Sequence, residues 1–171
     1  NLERVRAGGA KMTTPTADID ENAPRVEGKH EFVELLESGN KPASDWRIGT
    51  EHEKFGFLTK DFSPLPYDGD ASVHAVLKAL ADEYGWEPIN EAGYLIGLKK
   101  DGASVSLEPG GQFELSGAPL EHIHQTCNEV GQHLREVKAI SDRLGIGFLG
   151  LGFSPVWSLA ETPIMPKGRY K

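Results

Sequence analysis

Long apolar runs and clusters of basic residues are both missing from this sequence of 171 residues. No apolar stretch approaches the roughly 20 residues that a helix needs to cross a bilayer. Acidic residues outnumber basic ones by 26 to 18, which gives a formal net charge of -8. Since a nucleic-acid partner favours a basic surface, we expect neither nucleic acid nor a membrane as a partner.

Cysteine is almost absent, because Cys127 is the only one. No intrachain disulfide is therefore possible, which fits a reducing compartment and predicts a cytoplasmic location. Cys127 also falls on the apolar repeat of a predicted helix, so we expect it to be a buried small side chain rather than a nucleophile.

Hydrophobic periodicity divides the chain into a tail and one folded region. Residues 1–26 lack periodicity and predict a mobile tail, while residues 27–171 predict a folded domain. The domain pattern predicts a short helix, a strand, an amphipathic helix ending at Gly85, a three-strand meander over about 93–117, a long helix and a final strand. This order predicts an α+β fold, with helices on one face of a largely antiparallel sheet.

The long helix carries the clearest apolar repeat in the sequence. Its apolar positions recur at three- and four-residue steps: Leu120, Ile123, Cys127, Val130, Leu134, Val137 and Leu144. This stripe predicts the face that packs on the sheet. We accordingly expect Leu134→Ala to cost about 2–5 kcal/mol by opening a cavity.

The stretch "SLEPGGQFELSG" predicts a hairpin with two very different faces. With a three-residue loop at Pro109–Gly111, Glu108 lies opposite Gln112, and Ser106 lies opposite Glu114. One face then carries Ser104, Ser106, Glu108, Gln112, Glu114 and Ser116, and the other carries Val105, Leu107, Phe113 and Leu115. The apolar face can receive the long helix, which leaves an acidic polar face without a cation.

The stretch "GTEHEKFGF" repeats the pattern of acids on a strand. Glu51 and Glu53 are two residues apart, so both point to one face at a separation of about 6–7 Å. Two such carboxylates repel each other unless a cation lies between them, and Mg²⁺ prefers oxygen ligands. A solvated face of an antiparallel sheet explains the same residues, and both interpretations stay open at this point.

Several neighbouring polar residues admit two interpretations each. Gln112 and Ser116 could bind a substrate or pair across strands. Lys167 and Arg169 could approach a phosphate or substrate carboxylate, or be solvated. His52 points away from the acids on an ideal strand, which indicates a structural role.

Three long stretches closely resemble glutamate–cysteine ligases of the plant and proteobacterial type: "WRIGTEHEKFGF", "IGLKKDGASVSLEPGGQFELSGAPLEHIHQTCNEV" and "GIGFLGLGFSPVW" with "MPKGRY". The resemblance runs from about Val26 to Lys171. It implies a glutamine-synthetase-like half-bowl built on a curved sheet. It also implies ATP- and Mg²⁺-dependent ligation of the γ-carboxyl of glutamate to cysteine through a γ-glutamyl phosphate, the first step of glutathione biosynthesis.

The resemblance also implies roles for individual residues. Glu51, Glu53 and Glu114 become the catalytic metal ligands, and Glu108 becomes a ligand of metal or of the substrate amine. Gln112, Ser116, Lys167 and Arg169 become candidates for substrate binding. The implied partners are glutamate, cysteine and ATP, and the implied cofactor is Mg²⁺.

Members of this family are much longer than this sequence, so we expect it to be the N-terminal portion of the catalytic domain. A naturally short form without activity is the alternative, and an exposed half-bowl predicts self-association. A non-catalytic binder of metal or nucleotide and a two-carboxylate hydrolase are the other functions that the acids allow. A plant or algal origin would place the protein in a plastid instead of the cytoplasm.

Overall fold

The computed structural model describes residues 25–170, apart from the side chain of Arg169. The described chain divides into two units, one up to Ser44 and the other from Asp45. The predicted tail, 1–26, lies almost entirely outside the described residues. In the first unit α1 spans Lys29–Ser38, as the sequence predicts, and Glu31 accepts hydrogen bonds from the backbone at the start of this helix.

The second unit is a six-stranded antiparallel sheet that is not closed, with two helices. The strands are β1 (Glu51–Leu58), β2 (Glu87–Glu91), β3 (Tyr94–Lys100), β4 (Ala103–Leu107), β5 (Phe113–Ser116) and β6 (Ile146–Leu149). Their order is β2-β3-β4-β5-β1-β6. The helices are α2 (Val73–Tyr84) and α3 (Ile123–Leu144). The predicted α+β class and meander are therefore confirmed.

Both helices pack on the apolar face of the sheet. α2 contributes Val73, Val76, Leu77 and Leu80 to a core shared with Leu107, Phe113 and Leu115 of the sheet and Val137 and Ile140 of α3. The side chain of Ser72 accepts from the Ala75 amide and caps α2. Burial of these side chains leaves the opposite face of the central strands for polar residues.

Strand β2 is absent from the sequence prediction, because its sequence "EPINE" is polar and contains proline. It pairs only with β3 and so forms an edge of the sheet. Edge strands tolerate proline, since one row of their amides has no partner in the ladder.

The predicted apolar stripe of the long helix is wrong in several places. Ile123 is 63% exposed and Leu134 is 40% exposed. Cys127 is exposed as well, which contradicts its predicted burial. Leu120 lies before the helix and forms an isolated bridge with Ile48.

The side of α3 that is buried is partly polar. Its buried residues are Thr126, His133, Glu136, Val137, Ile140 and Ser141. His133 lies within hydrogen-bond distance of Lys54 on β1, and Glu136 accepts a hydrogen bond from the Trp86 indole, just before β2. The buried face of α3 is therefore rotated away from the most apolar positions. No helix within residues 25–170 is long and apolar enough to cross a membrane.

Candidate active site

Strands β1 and β5 bring the three predicted catalytic acids onto one face of the sheet. Glu53 is the direct cross-strand partner of Glu114, and Glu51 is the partner of Ser116. Directly opposed residues in an antiparallel pair have Cβ atoms about 4.5–5.5 Å apart. The acids therefore lie together on the face opposite the helices.

The hairpin register is the one that the sequence predicts. Ser106 pairs with Glu114, and the Glu108 amide donates to the Gln112 carbonyl at 2.8 Å. Gly110 and Gly111 turn the corner with φ of 76° and 79°, a region in which residues with a side chain are strained.

Glu114 is the most firmly held of the three acids. Glu114 is only 8% exposed. Ser106 Oγ donates to one carboxylate oxygen at 3.2 Å, and Ser116 Oγ donates to the other at 2.8 Å. Each oxygen has a second acceptor direction, so the serines can orient the carboxylate without using all of its capacity.

Glu51 and Glu53 are exposed and line a shallow pocket with His52 and the loop 150–152. Neither carboxylate has an ion-pair partner within residues 25–170. Among the same residues, no three Asp, Glu, His or Cys side chains stand close enough to hold a metal ion as they are.

These residues nevertheless fit magnesium in their chemistry. Mg²⁺ keeps several waters and takes one or two protein carboxylates together with substrate phosphates. Glu53 and Glu114 supply two carboxylates from directly opposed positions, on a face where neither is neutralised by an ion pair. A substrate phosphate would have to complete the site, and the metal role of these acids stays a prediction.

Gln112 and Glu108 both interact with later parts of the chain. Gln112 Nε2 donates to the Leu151 carbonyl at 3.2 Å, so the contact is with the loop after β6 rather than across the hairpin. Glu108 Oε2 accepts from the Tyr170 hydroxyl at 3.3 Å. Their roles in substrate binding stay predictions.

The C-terminal segment is anchored on the hairpin by Lys167. This residue is only 1% exposed, so its interpretation as a solvated lysine is wrong. Its Nζ donates to the Leu107 carbonyl at 2.7 Å, and the Tyr170 hydroxyl donates to the same carbonyl at 3.1 Å. For Arg169 the side chain lies outside the described set, and its role as a substrate ligand stays a prediction.

The same segment explains the tight glycine corner. A Cβ at Gly110 would lie 2.8 Å from Thr162 Cγ2, and a Cβ at Gly111 would lie 3.1 Å from Met165 Cε. The close approach that these glycines permit is therefore with the chain itself.

A buried pair behind the acids is missing from the sequence prediction. Lys54 Nζ lies 2.9 Å from His133 Nε2, and Lys54 is 2% exposed. Burial lowers the pKa of Lys54 to about 8. Burial, then the charge of Lys54 and then His52, lower the pKa of His133 to about 3.

The sequence signal for this pair is weak. Alternation places Lys54 on the apolar face, directly opposite Phe113. Lysine side chains are mostly exposed, so the sequence alone does not predict that this one is buried. His52 shares that face, as predicted, and burial followed by the charge of Lys54 lowers its pKa. Only the packing of α3 shows that His133 meets Lys54.

Comparison with known proteins identifies the family. Residues 47–171 match the model of Glutamate-cysteine ligase family 2. The chain is 51% identical to glutamate–cysteine ligase A, chloroplastic, of Oryza sativa subsp. japonica over 168 residues, which cover 98% of the chain and 33% of that protein. It is 54% identical to the chloroplastic glutamate–cysteine ligase of Solanum lycopersicum over 143 residues, which cover 84% of the chain and 27% of that protein.

A further relative is the chloroplastic glutamate–cysteine ligase of Arabidopsis thaliana, which is 51% identical over 172 residues, covering 99% of the chain and 32% of that protein. The chain thus spans about a third of the length of the curated relatives it matches. The family match covers most of the chain, including both strands that carry the acids. The chain belongs to Glutamate-cysteine ligase family 2.

Proposed function

We propose that this chain supplies the acidic sheet face of an ATP-dependent glutamate–cysteine ligase. The observation that carries the proposal is the convergence of Glu51, Glu53 and Glu114 on one face, with Glu53 directly opposite Glu114. The names of the relatives supply the substrates, glutamate and cysteine. ATP and Mg²⁺ follow from the need to activate a carboxylate, which is a poor electrophile.

The reaction would proceed in two displacements. A γ-carboxylate oxygen of glutamate attacks the γ-phosphorus of ATP, and the bond to the departing ADP oxygen breaks. The cysteine amine then attacks the carbonyl carbon of the γ-glutamyl phosphate, phosphate leaves, and the amine loses a proton as the amide forms. Such phosphoryl transfer depends mainly on positioning and on neutralisation of charge.

The residues of this chain would act by positioning charge. Glu51, Glu53 and Glu114 would hold Mg²⁺, which when bound neutralises charge on the phosphates of ATP. Ser106 and Ser116 fix the orientation of Glu114 through its two oxygens. Glu108, next to the glycine corner, would meet the metal or the ammonium group of a substrate, and Gln112 and Ser116 would bind substrate.

The experiment that tests this proposal is a chimera, because the chain spans only about a third of its relatives. The corresponding third of the rice ligase is replaced by this chain, and ADP release is measured with glutamate, ATP and Mg²⁺, with and without cysteine. We expect cysteine-dependent ADP release and formation of γ-glutamylcysteine. In the chimera, Glu53→Gln or Glu114→Gln should lower turnover strongly with little change in melting temperature.

The control is Glu87→Gln, since Glu87 lies on the edge strand and forms an exposed ion pair with Lys99. It should turn over like the unsubstituted chimera. Unchanged turnover at saturating Mg²⁺ in both acid variants would reject their metal role. A folded chimera without cysteine-dependent activity would reject the proposed function.

We also propose a plastid location. The support is that the curated relatives are named as chloroplastic, which favours the plastid alternative over the cytoplasmic expectation. A fluorescent fusion of the complete reading frame, followed in cells of the source, tests this, and diffuse cytoplasmic fluorescence would contradict it.

A further inference from the structure

A cavity of about 240 Å³ lies on the helix-covered side of the sheet, away from the acidic face. Its wall includes Trp86, Lys100, Leu115, Glu129, His133 and Glu136. Leu115 projects to the opposite side of β5 from its neighbour Glu114. A single water needs only about 15 Å³ of such space, so the cavity has room for a small organic molecule.

Two polar atoms in this wall are buried without a hydrogen-bond partner among the described residues: Glu129 Oε2 and His133 Nδ1. Each side chain is held at its other polar atom. Glu129 Oε1 accepts from the Ala118 amide at 2.8 Å, and His133 Nε2 lies 2.9 Å from Lys54 Nζ. His133 is only 2% exposed, and it is one of the residues that line the cavity.

The chemistry of the two free atoms is complementary. A lysine ammonium donates and cannot accept, so His133 Nε2 accepts from Lys54, and the proton of the neutral ring stays on Nδ1. The low pKa of His133, about 3, is consistent with a neutral ring. His133 Nδ1–H is therefore a donor, whereas Glu129 Oε2 is an acceptor.

The spacing of the two residues sets the size of the group that would satisfy both. Glu129 and His133 are four residues apart on α3, so their Cβ atoms are neighbours about 5–6 Å apart on one side of the helix. A molecule with a donor and an acceptor on adjacent carbons matches this spacing. Trp86 and Leu115 supply apolar surface in the same wall.

We propose that this cavity binds a small apolar α-amino acid. Its ammonium group donates to Glu129 Oε2, its carboxylate accepts from His133 Nδ1–H, and its side chain packs against Leu115 and Trp86. This site goes beyond the proposed ligase function, because it lies on the other side of the sheet and requires neither ATP nor metal.

The test is a titration of the chain with L-leucine, without ATP or metal, followed by NMR. Trp86 Nε1–H is a suitable reporter, since it donates to Glu136 Oε2 at 3.0 Å in the same wall, and the His133 ring is a second reporter. We expect saturable shifts of both signals. Isoamylamine and isocaproate, which each lack one charged group of leucine, should bind at least about 10-fold more weakly, because each loses a charged hydrogen bond.

Glu129→Gln provides the matched variant. It keeps an oxygen for the Ala118 amide but replaces the free acceptor by a donor, so leucine affinity should fall at least about 10-fold. Glu53→Gln, on the other face, should leave leucine binding unchanged. Thermal melting checks that both variants are folded, and the comparison with the two half-ligands does not depend on any variant.

Three results would overturn the proposal. The first is the absence of shifts up to about 10 mM leucine, a weak-binding limit, which would leave water alone as the partner of the two atoms. The second is equal affinity for leucine, isoamylamine and isocaproate. The third is unchanged leucine affinity in a folded Glu129→Gln variant. Leucine binding in the cavity does not involve ATP. A chimera that releases no ADP would therefore reject the proposed ligase function without bearing on the proposed leucine site.

Discussion

Replacing Lys54 with methionine should change how the stability of the protein depends on pH. Lys54 is 2% exposed, and burial lowers its pKa from 10.5 to about 8 in the folded state. Between these values the unfolded chain binds more protons than the folded one, so the free energy of unfolding rises with pH. The stabilisation of the folded state that comes from deprotonation of Lys54 is fully present above pH 10.5 and is lost as the pH falls through 8.

The magnitude follows from the same interval. At about 1.4 kcal/mol for each pH unit over which the two states differ, wild type should gain about 3 kcal/mol relative to Lys54→Met between pH 8 and 10.5. Methionine has a similar length and no charge, so it removes this titration while keeping most of the packing. Loss of the contact with His133 changes the free energy of unfolding of the variant by a similar amount at every pH in this interval. It therefore does not change how that free energy depends on pH.

Urea unfolding of both proteins across this pH interval measures the difference. Lys138→Met is the matched control, because Lys138 pairs with Asp142 at an exposed position, with 74% of its side chain accessible. The free energy of unfolding of Lys138→Met should change with pH in the same way as that of wild type. Parallel curves for wild type and Lys54→Met would show that the pKa of Lys54 is the same in the folded and unfolded states, and would refute the reasoning.

Three further outcomes follow from the same structure. Leu134→Ala should cost less than about 1 kcal/mol, whereas Ile140→Ala should cost about 2–5 kcal/mol; equal costs in denaturant melts would mean that the buried side of α3 is misassigned. As the pH falls from 6.5 to 3, the free energy of unfolding of wild type should fall by up to about 5 kcal/mol relative to that of His133→Gln, because His133 binds a proton less readily in the folded state. Parallel curves for the two proteins in an acid titration of unfolding would contradict this. Phe153 and Val156 are 75% and 76% exposed, so their joint replacement by serine should reduce self-association in sedimentation, and concentration-independent sedimentation of wild type would contradict this.

The arrangement of the acids is predictable from the sequence, because strand alternation is a local rule. Once Pro109–Gly111 is taken as the loop, the pairing of Ser106 with Glu114 follows by counting residues, and the structure has this register. The spacing of Glu51 and Glu53 likewise fixes their common face. The direct pairing of Glu53 with Glu114 does not follow locally, since β1 and β5 are distant in the sequence.

The face of α3 is not predictable in the same way. Apolar periodicity favours Ile123 and Leu134, but the buried residues include His133 and Glu136. Glu136 accepts hydrogen bonds from Trp86 and Gln132, and one nitrogen of His133, Nε2, lies within hydrogen-bond distance of Lys54. Because Trp86 and Lys54 lie far away in the sequence, no pattern within the helix reveals that these polar side chains can be buried.

The burial of Lys167 in the C-terminal segment is a further feature that the sequence does not predict. The pattern "MPKGRY" contains cations in a loop, which is typical of a solvated surface, yet the Leu107 carbonyl receives hydrogen bonds from both Lys167 and Tyr170. Burial of an ammonium group becomes tolerable when its hydrogen bonds are made. That compensation depends on a carbonyl 60 residues away and cannot be read from composition.

The two sides of β1 separate the proposed chemistry from the stability of the fold. Glu51 and Glu53 face the acidic side and are exposed, whereas Lys54 faces α3 and is buried. Neutralising Glu53 removes a surface charge that forms no ion pair among the described residues, so it should affect ligand binding far more than folding. Substituting Lys54 acts on a buried charge and its partner His133, so it should affect folding first. We therefore expect substitutions of two adjacent residues on β1 to have different effects, with Glu53→Gln impairing ligand binding and Lys54→Met impairing stability. A Glu53→Gln variant that unfolds readily would contradict this expectation.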